Sequence, residues 1–147
     1  MALYKAQGYD LNVPITVQAS GLVVSQRVVV GFLAVTALAA NDVILLGELP
    51  QDYVLTDVEI DLEQVVAGAT VDVGILNEAE TAVEFSLINA GSLATAGYVS
   101  KNSTKALRNG RFDKKRVIGA VVKAGGSAAA GTKIGFTIKT RNAQSDE

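Results

Sequence analysis

The sequence predicts an all-β chain, an antiparallel two-sheet sandwich of jelly-roll type, and three observations carry that expectation. Glycine or proline punctuates the chain at short intervals from Gly8 to Gly135. Between these marks lie short runs rich in Val, Ile and Thr, residues that fit a pleated, half-buried surface. Several runs alternate apolar and polar side chains, the habit of an antiparallel sheet with one dry face and one wet face.

Taken in order, the first candidate strand is VPITVQ at 13–18. Residues 1–18 as a whole fit either an extended N-terminal arm laid on a neighbour or a plain edge strand. RVVVGFLAVT at 27–36 does not alternate, so it reads as a central strand covered on both sides. DVILLGE at 42–48 and YVLTDVEIDL at 53–62 flank the Leu49-Pro50 turn. TVDVGIL at 70–76 sets Val71, Val73 and Ile75 on one face. EFSLINAGSLATAG at 84–97 carries Leu87, Ile88 and Leu93 among small residues and reads as a short helix or turn, so at most one short helix is expected, near 84–96. Residues 98–116, YVSKNSTKALRNGRFDKKR, form a polar, basic loop or excursion. The last strands are RVIGAVVK at 116–123 and TKIGFTIKT at 132–140, joined by the small-residue turn AGGSAAAG. Neither a repeat nor a domain boundary is visible, and 147 residues suffice for a single β domain with a real core.

Composition narrows the chemistry. Hydrophobic residues make up 49% and charged residues 19%, so the chain is expected to fold, on a core of Val, Ile, Leu and Ala because there is no Trp. There is no His and no Cys. Ser–His–Asp and Cys–His nucleophilic sites, HExxH metalloprotease sites, zinc fingers and disulfides are thereby excluded. Neither GxGxxG nor GxxxxGK[ST] occurs, so no phosphate cradle is expected. The expectation is a non-enzymatic protein with no cofactor, no metal and no catalytic residue. The longest uncharged apolar run, residues 28–40, falls short of the ~20 residues that cross a bilayer. The N-terminal MALYKAQGYDLNVP lacks a signal-peptide core, so a chain made and used without membrane insertion is expected.

Charge is distributed unevenly. Residues 1–100 carry Lys5 and Arg27 against twelve acids, a net −10, whereas residues 101–147 carry eleven bases against Asp113, Asp146 and Glu147, a net +8; together they give the overall −2. Asp57, Glu59, Asp61 and Glu63 occupy every second position of one predicted strand. That spacing places them, with Leu55, in an outward row about 7 Å apart, and Val54, Thr56, Val58, Ile60 and Leu62 point inward. Such a row fits a solvated strand face that discourages edge association. It also fits an electrostatic contact surface for a basic partner. A calcium or catalytic carboxylate cluster fits less well, because a straight strand splays its carboxylates. The basic counterpart is RNGRFDKKR, with Arg108, Arg111, Lys114, Lys115 and Arg116. This run reads as a solvated loop or as the partner of an acidic surface on its own chain, on a second copy or on another protein. A nucleic-acid contact is the weaker alternative, since the whole chain is acidic and no reader motif is present.

Residues 43–76, VILLGELPQDYVLTDVEIDLEQVVAGATVDVGIL, resemble a pattern of small virion proteins of tailed bacteriophages. There an apolar strand leads to an LP turn, then a strand containing DVxxD, a Gly/Ala turn and a TxDVGI strand. Here these are Leu49-Pro50, Val54 to Asp61, Ala67-Gly68-Ala69 and Thr70 to Ile75, and ATAG at 94–97 and AGTKIGFTIKT at 130–140 extend the likeness. The resemblance implies a capsid decoration, or cement, protein: a compact β-sandwich or jelly roll, made in the host cytoplasm and placed on the outer surface of the head. It further implies a homo-oligomer, typically a trimer, partnered by the major capsid protein and stabilising the shell. It carries over no catalytic residue, and no direct nucleic-acid or membrane partner. The rival readings are another phage structural component, such as a tail-tube or head-fibre-base protein, and a carbohydrate-binding β-sandwich. The latter would need exposed aromatics in a chain with four Tyr, four Phe and no Trp.

Overall fold

β-Branched runs become strands here wherever Gly, Pro, Asn or Asp lets the chain reverse. The computed structural model describes residues 2–5, 23–108 and 112–143. Its strands are β1 (Leu3–Lys5), β2 (Val23–Gly31), β3 (Thr36–Leu38), β4 (Val43–Leu49), β5 (Tyr53–Leu62), β6 (Thr70–Leu76), β7 (Val83–Ser92), β8 (Gly97–Val99), β9 (Arg116–Ala124), β10 (Gly126–Ala128) and β11 (Lys133–Asn142). A single helical turn, α1, spans Lys105–Arg108.

Two sheets result. The first has the order β1-β4-β9-β6-β7 and the second β2-β11-β5-β8, with β3 and β10 forming a small ribbon. All pairings are antiparallel except β1 with β4, which is parallel. The sheets face one another across one apolar core. Ile44, Val73, Ile75, Ile118 and Val122 enter it from the first sheet, and Val28, Val58, Ile60, Phe136 and Ile138 from the second. This is the expected all-β sandwich.

Four local departures from the sequence reading have physical causes. The first concerns residues 27–36, which were expected to form a central strand covered on both sides. Among the described residues β2 pairs only with β11, and its burial alternates: Val24, Val28 and Val30 point inward, while Ser25 and Arg27 are exposed. Strands buried on both faces are β4, over Val43 to Leu46, and β9. Ile118, Ala120 and Val122 join the main core, and Val117 and Val121 join Val43, Leu45 and Leu76 in a second apolar layer on the other side of the sheet. A composition of small and branched residues fits both situations, so neighbours and not residue type decide the strand's place.

The second departure is at 84–96, where the expected short helix is replaced by strand β7. Leu87 and Ile88 are adjacent and both fully buried, which breaks the period of two. Val73 pairs with Ile88 but Gly74 with Ser86, which leaves Leu87 extra, and a second register shift follows, with Ala90 at a positive φ of 53° and its N–H donating to Asp72 Oδ1 at 2.7 Å. A bulge of this kind removes the alternation on which strand recognition rests.

The third departure lies in β5. Lys139 pairs with Asp57 but the next residue, Thr140, pairs with Leu55, so Thr56 is an extra residue, and its hydroxyl donates to Lys139 O at 3.0 Å. The bulge resets the phase of the strand. Tyr53 and Leu55 enter the core on one side of it, and Val58, Ile60 and Leu62 on the other, so Leu55, expected outside, is buried and Thr56, expected inside, is not part of the core.

The fourth concerns the basic excursion, which is partly regular. It opens with β8, paired with the end of β5. It then runs along β7: Asn102 N–H and Ser103 N–H donate to Leu87 O at 2.8 and 3.0 Å, and Asn102 exchanges hydrogen bonds with the backbone of Asn89. The helical turn packs against β5 and β7 and buries Ala106 completely. The exposed backbone of β7 is thereby covered, a protection that edge strands need. The strand expected at 13–18 lies outside the described residues. Within the expected arm at 1–18, the described part is β1, on which the Tyr4 ring meets Phe32 edge-on with centroids 5.8 Å apart.

Candidate interaction surfaces

The acidic row sits on the outer face of the second sheet, where alternation along β5 places it. Asp57, Glu59 and Asp61 are half-buried, and Glu63 follows the strand end, exposed. The row meets two basic side chains of its own sheet. Lys139 on β11 stands directly opposite Asp57. Arg27 on β2 reaches diagonally over β11 to form a two-pronged pair with Asp61, Nη2 lying 2.8 Å from Oδ1 and Nη1 closing on Oδ2. Pairing with Asp61 raises the already high Arg27 pKa. The crossing point is Gly135, where an added Cβ would lie 2.5 Å from both Asp61 oxygens and 2.6 Å from Arg27 Nη2. Glycine is there because two charged side chains meet above it. Among the described residues, Asp57, Glu59 and Glu63 form no ion pair within 4 Å.

The basic residues go elsewhere. Lys114 Nζ lies 2.5 Å from Glu78, Lys115 Nζ 3.2 Å from Glu48, and Arg116 Nη2 2.5 Å from Glu84. None of these acids belongs to the row. The exposed Glu78 carboxyl is held below its ordinary range, and the Lys114 ammonium above its own, because each hydrogen-bonds the other. Arg116 differs from its neighbours in being buried. Its guanidinium also donates to Leu76 O at 2.7 Å and lies over the Phe112 ring at 4.7 Å, so it anchors the start of β9. Arg108 is exposed and bonds Thr104 Oγ1 through Nε at 3.2 Å. Arg111 lies outside the described residues. The structure thus gathers Lys114, Lys115 and Arg116 at one end of the first sheet and keeps them from the row on the second.

Three exposed apolar residues escaped the sequence reading. Leu33 is 99% exposed, Val35 71% and Val65 44%. The first two lie in the run 27–36 that was assigned to a covered strand. Beyond Gly31 that run leaves the sheet as a loop in which only Phe32 turns back into the core. A usable signal was present: this loop and three others, 65–69, 93–97 and 124–131, contain no charged residue. Among the described residues, no group of three or more acids is placed to hold a metal ion, and no helix is long and apolar enough to cross a membrane.

No protein-family model and no curated protein matches this chain. Solved structures do share its fold. A chain in the capsid of Ralstonia phage GP4 superposes with a TM-score of 0.73 at 24% identity, covering 98% of this chain and 100% of that one. A chain in the capsid asymmetric unit of cyanophage Pam1 superposes with a TM-score of 0.50 at 10% identity, covering 89% and 94%. At these identities the likeness is one of fold, and it extends over nearly the whole length of each chain.

Proposed function

We propose that this chain is a non-enzymatic structural protein of a phage virion, decorating and stabilising the head from its outer surface. The observation that carries the proposal is the near end-to-end match to a chain of the Ralstonia phage GP4 capsid. A chain without His or Cys suits a role made of contacts. The mechanism is added buried interface: copies of the protein bind one another and the coat, and the shell then resists internal pressure better.

In this reading the partners are the major capsid protein and further copies of the chain, a trimer being the assembly the resemblance implies. The row Asp57, Glu59, Asp61 and Glu63 supplies acidic contacts, and Arg108, Arg111, Lys114 and Lys115 supply basic ones, setting orientation more than affinity. Arg116, being buried, supports these contacts from beneath.

The test is direct. Purified protein is added to heads of the parent phage prepared without it, and DNA release is followed on heating. A higher rupture temperature with the protein bound is expected. Heads that bind the protein but rupture at an unchanged temperature would refute the stabilising role.

A further inference from the structure

Among the described residues, the four loops that build one end of the sandwich carry no charged side chain; Glu63, Lys123 and Lys133 stand at their margins. Phe32 N–H donates to Thr132 O at 2.9 Å and Gly131 N–H to Phe32 O at 2.7 Å, joining the loop after β2 to the one before β11. The β3–β10 ribbon joins them again, through Leu38 with Gly126 and Thr36 with Ala128. Val66 N–H donates to Leu93 O at 2.8 Å and Leu93 N–H to Ala69 O at 2.9 Å, joining the loops after β5 and β7. Gly126 packs so closely on Ala67 O that a Cβ would lie 2.5 Å from it, which brings the two pairs together.

Residues 32–40, 65–69, 93–97 and 124–131 contain no Asp, Glu, Lys or Arg. The one acid within the turn at 39–42 is Asp42, and it is buried: its carboxylate accepts the N–H groups of Ala2 and Ala39, both at 2.9 Å. The opposite end is crowded with charge, at Glu78, Glu80, Asp113, Lys114 and Lys115. Among the described residues, the loops of one end are thus crowded with charge and those of the other carry none.

We propose that the uncharged end is where copies of this chain bind each other. This refines the proposed function by naming the surface of self-association. The reasoning is chemical. A charged partner surface would lose its water here and find no countercharge, at a cost of several kcal/mol per ion. Among the described residues these loops meet the requirement of carrying no charge, and the same loops of a second copy supply such a surface. That end is also complementary to itself in shape. Leu33 and Val35 project, while exposed Ala39, Ala40, Ala129 and Ala130 offer no side chain beyond Cβ and leave shallow seats. Because the contact is apolar, it resists salt, whereas contacts built on the acidic row do not.

The experiment is the solution mass of the full chain by light scattering, at low and high salt, for wild type and for the Leu33→Glu, Val35→Glu double variant. Both positions are exposed, so the variant should keep the wild-type circular dichroism spectrum and cooperative melting. The expected result is a wild-type oligomer insensitive to salt and a variant reduced to one subunit of 15.3 kDa. The chain has no Cys, so Leu33→Cys alone provides a second readout: oxidation should link copies covalently through this end. A variant that keeps the wild-type mass, or a wild type that is monomeric at every soluble concentration, would overturn the proposal. If such a monomer still bound heads and the double variant did not, the end would face the coat, and the decoration role would stand without self-association. An oligomer lost in the variant, from a protein that does not bind heads, would leave this inference standing and remove the decoration role.

Discussion

At the scale of single residues, glycines in extended backbone mark two different kinds of close approach. At Gly74 an added Cβ would lie 2.1 Å from Phe85 O and 2.8 Å from Ser86 Cα, both backbone atoms of the neighbouring strand β7. At Gly135 it would meet only the far ends of Asp61 and Arg27, which can swing aside into solvent. The sterics predict unequal outcomes for one substitution. Gly74→Ala must spread β6 from β7 and should lose about 1–3 kcal/mol in denaturant unfolding, the usual cost of overpacking. Gly135→Ala should displace the ion pair at a small fraction of that loss. Equal losses would mean that the Arg27–Asp61 pair is held as rigidly as backbone. Arg116 belongs to this scale too: it has the composition of a surface cation, yet it is buried because Leu76 O, Glu84 and the Phe112 ring all converge on it.

At the scale of elements, irregularities decide which face a strand presents. The extra residue Thr56 lets Leu55 and Val58 both reach the core while Asp57 stays outside. Deleting Thr56 forces a choice: Tyr53 and Leu55 turn to solvent, or the acidic row turns into the core. Either outcome removes most of the core contribution of β5. Thr56→Val, by contrast, keeps the backbone count and loses one hydrogen bond, about 1 kcal/mol. The deletion should therefore abolish cooperative unfolding, and the valine variant should shift its midpoint only modestly; a deletion variant with a near-wild-type midpoint would show that the bulge does not set the phase. The same logic explains what was legible in the sequence. Strand β6 and the part of β5 after its bulge were readable to the residue, because Val58, Ile60 and Leu62, and Val71, Val73 and Ile75, keep strict alternation; before the bulge the same alternation puts Leu55 outside, and the extra Thr56 brings it into the core. Strand β7 was not, because its bulge sets two buried residues side by side. The outward position of Asp57, Glu59 and Asp61 was legible from the same alternation. Their partner Arg27 was not, since the pair forms across a strand from residues 34 positions apart. The exposed Leu33 and Val35 were hidden by resembling the apolar run that precedes them.

At the scale of the whole molecule, the opposite charges of the two parts of the chain are interleaved and not separated into poles. Strand β9 lies between β4 and β6, and β11 lies between β2 and β5. The last third of the chain thus supplies an inner strand to each sheet, and with it the bases that meet the acids of the first hundred residues: Lys114 with Glu78, Lys115 with Glu48, Arg116 with Glu84 and Lys123 with Asp72. Residues 1–100 alone would keep the strands that flank both gaps. They would lack what fills them, and would carry a net −10 with no compensation. Unpaired strands leave buried N–H and C=O groups without partners, each a loss of about 1–3 kcal/mol, against a total stability of about 5–15 kcal/mol for a domain. The chain should accordingly behave as one cooperative unit. Circular dichroism and tyrosine fluorescence, the latter reporting on buried Tyr53, should give coincident denaturant transitions for the full chain. A fragment of residues 1–100 should show neither a transition nor dispersed amide resonances. A fragment that unfolded cooperatively would show that the sheets hold without their inner strands, and that the basic third is an addition to the fold and not its keystone.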